Sequence, residues 1–158
     1  MFITSDSRQA PYIARATKSR YTHCGVVVMV DKKPYVLEAS NVVKLTPAIE
    51  FIRRDRYPSS SIRFRRVLDK DKNVKIKYKQ YLGMPYDLAF RFDNGKMYCS
   101  ELVWVIYKDQ FGIELCSPRP VSSYNLAGVS DIMKRRGIER KQKVVAPSDL
   151  WKTKVKNR

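Results

Sequence analysis

The run Gly25-Val26-Val27-Val28-Met29-Val30 is the feature that most constrains the fold. β-Branched side chains lose rotamer freedom in a helix and suit a pleated surface, so the run predicts a buried strand. Asp31-Lys32-Lys33-Pro34 reads as a turn and Tyr35-Val36-Leu37-Glu38-Ala39 as the returning strand of a hairpin. In the simplest register Val30 faces Tyr35, which puts Glu38 opposite Val27. Glu38 then shares a face with His23 but stands four residues along the strand from it, roughly 13 Å away. A bulge, a strong twist or a longer loop has to close that gap if the two are to meet.

The rest of the 158 residues fits one domain, expected over residues 1–150, with 151–158 as a basic tail. Hydrophobic residues make up 44% and charged residues 30%, a globular composition rather than a disordered one. The formal net charge of +17 predicts attraction to nucleic acid, anionic surfaces or acidic substrates. The charge is spread along the chain, and no recognition helix, RNP-like motif or zinc-finger spacing turns it into a specific nucleic-acid site. Cys24, Cys99 and Cys116 are odd in number with no C-x-x-C pair, which argues against a disulfide framework and a zinc site. No metal and no cofactor is expected. The start Met1-Phe2-Ile3-Thr4 lacks the basic and apolar regions of a secretory signal, so a reducing, cytoplasmic location is expected.

Along the chain, residues 8–16 predict a short helix with Pro11 in its first turn. Thr46-Pro47-Ala48 predicts a second, with Thr46 as cap and Glu50 near its start. Pro58 lies in a turn, Ile62 to Leu68 alternates as a half-wet strand, and Asp71 to Leu82 reads as a basic helix with a ragged apolar stripe. A longer amphipathic helix begins at Cys99 and ends near Gly112, and a short one covers Val129 to Arg136.

Chemistry converges on three residues. A thiol on the first turn of a helix meets unpaired backbone N–H groups and the positive end of the dipole, both favouring the thiolate of Cys99. His23 is the chain's one histidine and so the one imidazole available as a base. Glu38, among apolar neighbours, suits the third group that orients the ring. Asp87 and Glu101 read as a turn residue and a first-turn helix charge.

Tyr21 to Val28, Tyr35 to Ser40, Tyr81-Leu82-Gly83-Met84-Pro85-Tyr86-Asp87, Tyr98 to Val103 and Ala146-Pro147-Ser148-Asp149 together resemble the YiiX-like cysteine hydrolases. These are circularly permuted relatives of papain and the NlpC peptidases, akin to lecithin:retinol acyltransferase. The resemblance runs from about Thr4 to Leu150. It implies an α+β, circularly permuted papain-like (NlpC-type) fold, with a small antiparallel, barrel-like sheet packed on the nucleophile helix. It implies Cys99 as nucleophile, His23 as base and Glu38 as third member. The family's Gly-Asp start is missing, so the first strand is expected to be short. Cys24, next to His23 on a strand, is expected to point to the opposite face and serve as core.

The expected activity is that of a cysteine amidase, peptidase or acyl hydrolase passing through a Cys99 acyl-enzyme. The Cys99 amide would hold the oxyanion, with Tyr86 or Tyr21 as partner. A small peptide, an amino-acid conjugate or a lipid is the expected substrate. The alternative from another class is a non-catalytic basic module binding nucleic acid or anionic lipid.

Overall fold

The computed structural model describes residues 1–57, 63–68 and 74–153. The elements are β1 (Phe2–Ile3), α1 (Ala10–Thr17), β2 (His23–Cys24), β3 (Val26–Val30), β4 (Lys33–Ala39), β5 (Val43–Pro47), α2 (Ala48–Arg53), α3 (Cys99–Phe111), β6 (Arg119–Pro120), α4 (Ser130–Arg136), β7 (Lys143–Val144) and α5 (Pro147–Lys152). Among the described residues no helix is long and apolar enough to cross a membrane.

The expected hairpin forms, but its register differs from the simplest one. Val30 pairs with Lys33 and Val28 with Tyr35, leaving Asp31 and Lys32 alone in the turn. Both have positive φ, 47° and 62°, as a two-residue type I′ turn demands. This tight turn shifts β4 by two positions relative to the expectation. Continuing the ladder past Val26–Leu37 sets Glu38 against Gly25 rather than Val27. The expected gap to His23 is halved without a longer loop.

Gly25 separates β2 from β3 and lets the chain change partners there. A Cβ on Gly25 would stand 2.5 Å from Val36 Cγ1 and 2.7 Å from the Leu37 carbonyl oxygen, so only glycine permits this approach to β4. Beyond it β2 leaves β4 and pairs with β1, Phe2 facing Cys24 and Ile3 facing His23. The sheets are therefore separate: β1–β2, β3–β4–β5 and β6–β7, all antiparallel. No closed barrel forms among the described residues, so the permuted papain-like mixture of helix and sheet is present without the barrel-like detail.

The main core lies between these sheets and α3, joining Leu37, Ala39 and Val43 to Leu102, Val103 and Ile106. A smaller cluster of Ile3, Val36 and Phe51 sits under α2. Alternation along β4 sends Leu37 to the first and Val36 to the second. Glu38 follows the parity of Val36 and is fully buried.

Several expectations are corrected. Thr46 belongs to β5, which was not expected, and Pro47 takes the cap position of α2. The segment 63–68 forms no strand beyond a single bridge between Phe2 and Arg63. Among the described residues of the expected basic helix, only Lys79–Tyr81 is helical, as one 3-10 turn. Residues 74–78 instead alternate between half-buried and exposed, a strand-like period set by Val74, Ile76 and Tyr78. Gln110 serves this segment as a strand edge would, accepting from the Lys77 N–H and donating to its carbonyl. The expected turn at Pro58 and the first residues of the expected strand and helix lie outside the described residues. Folded structure also continues past residue 150. Trp151 packs edge-on to Phe2, and the Thr153 hydroxyl donates to the Leu115 carbonyl at 2.6 Å.

Candidate active site

Cys99 is the first residue of α3, and its surroundings are fixed from both sides. The preceding residue, Tyr98, accepts the Val145 N–H on its hydroxyl at 3.1 Å, and the following one, Ser100, donates its hydroxyl to the Val145 carbonyl at 2.7 Å. One residue of the loop before α5 thus clamps the thiol's position. Glu101 reaches back to the Tyr98 N–H at 3.2 Å, completing the helix start. Burial, ahead of the charges of Asp87 and Asp93, pushes its carboxyl up to about 8. Raised in this way, it opposes a thiolate two residues away less than an ordinary carboxylate would.

The Tyr81 to Asp87 motif brings a tyrosine to the same place. Gly83 turns with φ 84°, the Val43 N–H bonds to the Met84 carbonyl and the Tyr86 N–H to the Asn41 carbonyl. Asp87 accepts from the backbone of Ala89 and Arg91 and from Asn94, the turn role expected of it.

His23 is buried on β2, its ring stacked on Phe51 at 5.4 Å between centroids. Its Nε2 lies 2.6 Å from Glu38 Oε2. The other carboxylate oxygen accepts from the Thr46 hydroxyl and from Arg54 Nη2, each at 2.5 Å. Burial works against the Glu38 charge, but His23, Arg54 and Thr46 outweigh it and hold the carboxyl at about 2. Cys99 and His23 influence one another electrostatically, each favouring the charged form of the other. Burial also opposes the imidazolium, yet the Cys99 and Glu38 charges prevail and raise His23 to about 9.

Cys24 lies in the core, as expected, but not away from the site. Met1 and Gly25 exchange both backbone bonds, so Phe2 and Cys24 form the non-hydrogen-bonded pair of the β1–β2 ladder. The Cys24 N–H then points away from β1 and toward Cys99. The neighbouring Cys24 thiol is the largest influence lowering Cys99 below an ordinary thiol; against burial, the His23 charge and the Cys24 amide lower it further. The Cys24 thiol itself is pushed up by burial and by the charge on Cys99.

A cavity of about 130 Å³ opens beside Cys99, bounded by α1, α4, Tyr86 and the chain before α5. Tyr86 Oη accepts from Gln9 Nε2 at 2.8 Å, which leaves the phenol's own proton free to point inward. Burial, then the charge on Cys99, raises that phenol, so it stays protonated. Tyr21 is placed elsewhere: it packs against Phe2 and Trp151 and does not line the cavity. That removes one of the two tyrosines expected at the oxyanion.

Gln9, Thr46 and Arg54 were not anticipated. Thr46 had been spent on a helix cap, Arg54 was one of many surface cations, and Gln9 carries no motif.

A permuted chain order, a thiol at a helix start and a His–Glu pair joined across two sheets make the fold comparison decisive. The family of permuted papain-like amidases, the YaeF/YiiX or C92 family, matches residues 1–156. The chain belongs to that family. Within it, YiiX of Escherichia coli K12, an uncharacterized protein, is 31% identical over 159 residues, covering 96% of this chain and 79% of that one. A crystal structure of YiiX from Escherichia coli O157:H7 superposes with a TM-score of 0.81 at 28% identity, covering 97% of this chain and 89% of that chain. That protein is described as a metalloprotein. Among the described residues here, no group of three or more His, Cys, Asp or Glu is arranged to hold a metal ion. The described residues do not fit such a group. Membership of this amidase family makes the chain a cysteine hydrolase in broad class.

Proposed function

We propose that this permuted papain-like amidase cleaves an amide through a Cys99 acyl-enzyme, with His23 as base and acid and Glu38 as the group that orients it. The observation that carries the reading is the buried His23–Glu38 bond, coupled electrostatically to Cys99. The mutual influence of Cys99 and His23 favours a thiolate–imidazolium pair, and the Glu38 bond fixes the ring.

In the first half-reaction the Cys99 thiolate attacks the carbonyl carbon and a C–S bond forms. The carbonyl electron pair moves to oxygen, where the Cys99 amide and the Tyr86 hydroxyl serve as donors. Collapse breaks the C–N bond, and the imidazolium of His23 gives its proton to the departing amine. Neutral His23 then takes a proton from water as it attacks the thioester. The acid product leaves and the ion pair is restored.

The test is a covalent adduct after incubation with acyl and peptidyl probes, mapped by mass spectrometry. An adduct on Cys99 that His23→Ala abolishes supports the mechanism, and one on Cys116 overturns it. The formal charge of +17 favours a second reading, a basic module for nucleic acid or anionic lipid. An affinity that falls steeply with salt, survives Cys99→Ala and comes without turnover would decide for that module.

A further inference from the structure

β3 is the outer strand of its sheet, and it borders a second groove of about 780 Å³. Among the described residues this groove shares none with the cavity beside Cys99. Four consecutive residues, Val26 to Met29, line it, and residues 64–68 line it as well. Neighbouring side chains on a strand point to opposite faces, so an unbroken run of lining residues means that the edge of β3 borders the groove. The ladder shows which backbone groups that edge presents. Val30 and Lys33 close the two-residue turn as a hydrogen-bonded pair, so Val28 and Val26, two and four residues back, also bond to β4. Gly25, Val27 and Met29 turn their N–H and carbonyl groups the other way.

Gly25 spends both groups on Met1, its N–H at 3.1 Å and its carbonyl at 2.9 Å. Among the described residues nothing takes those of Val27 and Met29. On its other side β1 exchanges bonds with Arg63, through Phe2 at 2.8 and 3.1 Å. β1 therefore lies between the two stretches that border the groove, and a strand laid in line with it meets Val27 and Met29. Val26 and Val28 point into the core, where Val103 and Tyr107 from α3 also line the groove. Val27, Met29 and Phe64 are exposed. Arg65, Arg66 and Lys75 line it too, and no Asp or Glu does. Arg65 donates to the Trp151 and Thr153 carbonyls, and among the described residues none of these cations has an ion-pair partner. An open apolar strand edge is a template for another chain.

We propose that this groove binds an extended acidic peptide as an added strand, in line with β1 and antiparallel to β3. Apolar residues of the peptide face Val103 and Tyr107, and the Asp or Glu residues between them meet Arg65, Arg66 and Lys75. The open backbone groups supply affinity, and the charge selects the partner. A second copy of the chain is disfavoured, because the formal net charge of +17 makes two copies repel. Nucleic acid and lipid headgroups match the cations but carry no repeating N–H and carbonyl pairs for Val27 and Met29. The site works without Cys99 and does not depend on the amidase reading.

The experiment titrates the full chain into fluorescein-labelled Glu-Val-Glu-Val-Glu-Val and follows anisotropy, with Lys-Val-Lys-Val-Lys-Val and the proline-interrupted Glu-Val-Glu-Pro-Glu-Val as controls. The acidic peptide is expected to bind at least about tenfold tighter than either control. Met29→Pro, which removes an outward N–H, and the double variant Arg66→Glu with Lys75→Glu should each weaken it by a similar factor. Hydrogen exchange read by NMR should show the Val27 and Met29 amides exchanging fast in the free chain and protected in the complex. That readout and the charge variant decide the matter even where Met29→Pro does not fold. Equal binding of the proline peptide, or binding that leaves both amides unprotected, overturns the proposal. Displacement of the peptide by phosphatidylserine vesicles or duplex DNA with the amides still unprotected assigns the cations to an anionic surface and overturns it too. Protection that grows with the concentration of the chain alone assigns the edge to a second copy, against the proposal.

Discussion

His23 Nε2 and Glu38 Oε2 stand 2.6 Å apart, and the second Glu38 oxygen is already taken by Thr46 and Arg54. The carboxylate is thereby held anionic with one oxygen left for the ring. Since His23 is raised to about 9, its proton is retained through neutrality and lost only above that. The profile of kcat/KM is expected to be level across neutral pH and to fall with an apparent pKa near 9. Glu38→Gln removes a charge that supports the imidazolium, so this alkaline limb should move down by about a unit or more. A limb that stays in place in a pH–rate measurement would take Glu38 out of the mechanism.

Acid stability should follow the same carboxylate. Glu38 sits at about 2 in the fold against 4.5 as its ordinary value, so its contribution is present above 4.5 and lost as pH falls through 2. The size is on the order of 3 kcal/mol. His23 and Cys99 act in opposite senses. The raised His23 stabilises fully below 6.5, an effect lost as pH rises through 9, whereas the depressed Cys99 stabilises above its ordinary 9.0, an effect lost as pH falls. Between these limits the folded pair keeps its proton on His23 and the unfolded chain keeps one on the thiol, so the counts match. Urea denaturation should show a plateau around neutrality and a decline below pH 4.5, with the decline shallower in Arg54→Met.

Thiol reactivity should separate the three cysteines. Cys99 is lowered, Cys24 is raised, and burial pushes Cys116 up to about 12. Iodoacetamide at pH 6.5 is expected to label Cys99 alone. In His23→Ala the rate at that pH should drop by about a hundredfold, as the thiol returns toward an ordinary pKa near 8.5. Peptide mapping that finds Cys24 labelled first would contradict this ordering.

Gly25→Ala tests the strand crossing. The added methyl meets Val36 Cγ1 at 2.5 Å and the Leu37 carbonyl oxygen at 2.7 Å, and backbone cannot step aside cheaply. A loss of about 1–3 kcal/mol is expected in denaturant melts, together with reduced Cys99 labelling as His23 and Glu38 are pushed apart. Unchanged stability would show that the crossing has slack.

How legible this was depended on range. The β-branched run and the turn at Asp31 gave the hairpin, because rotamer and φ preferences act within a few residues. The start of α3 at Cys99 and its stop at Gly112 were readable for the same reason, through caps and apolar spacing. The segment from Val74 to Tyr78 was misjudged because lysines between apolar residues satisfy a loose helical stripe and a strand alternation alike. Which of them forms was decided by Gln110, distant in sequence and bonded to both backbone groups of Lys77.

The sequence alone determined which residues had chemistry to offer: one imidazole, a thiol at a helix start and a carboxylate amid apolar neighbours. It could not determine their meeting. That needed the two-residue turn at Asp31–Lys32 to set the register, and Gly25 to let β2 leave β4. It also needed Val145 to hold both neighbours of Cys99. The Gly25 crossing and the Val145 clamp are contacts between separate segments of the chain. Local preferences cannot encode such contacts, because their energy exists only once the core has closed around them.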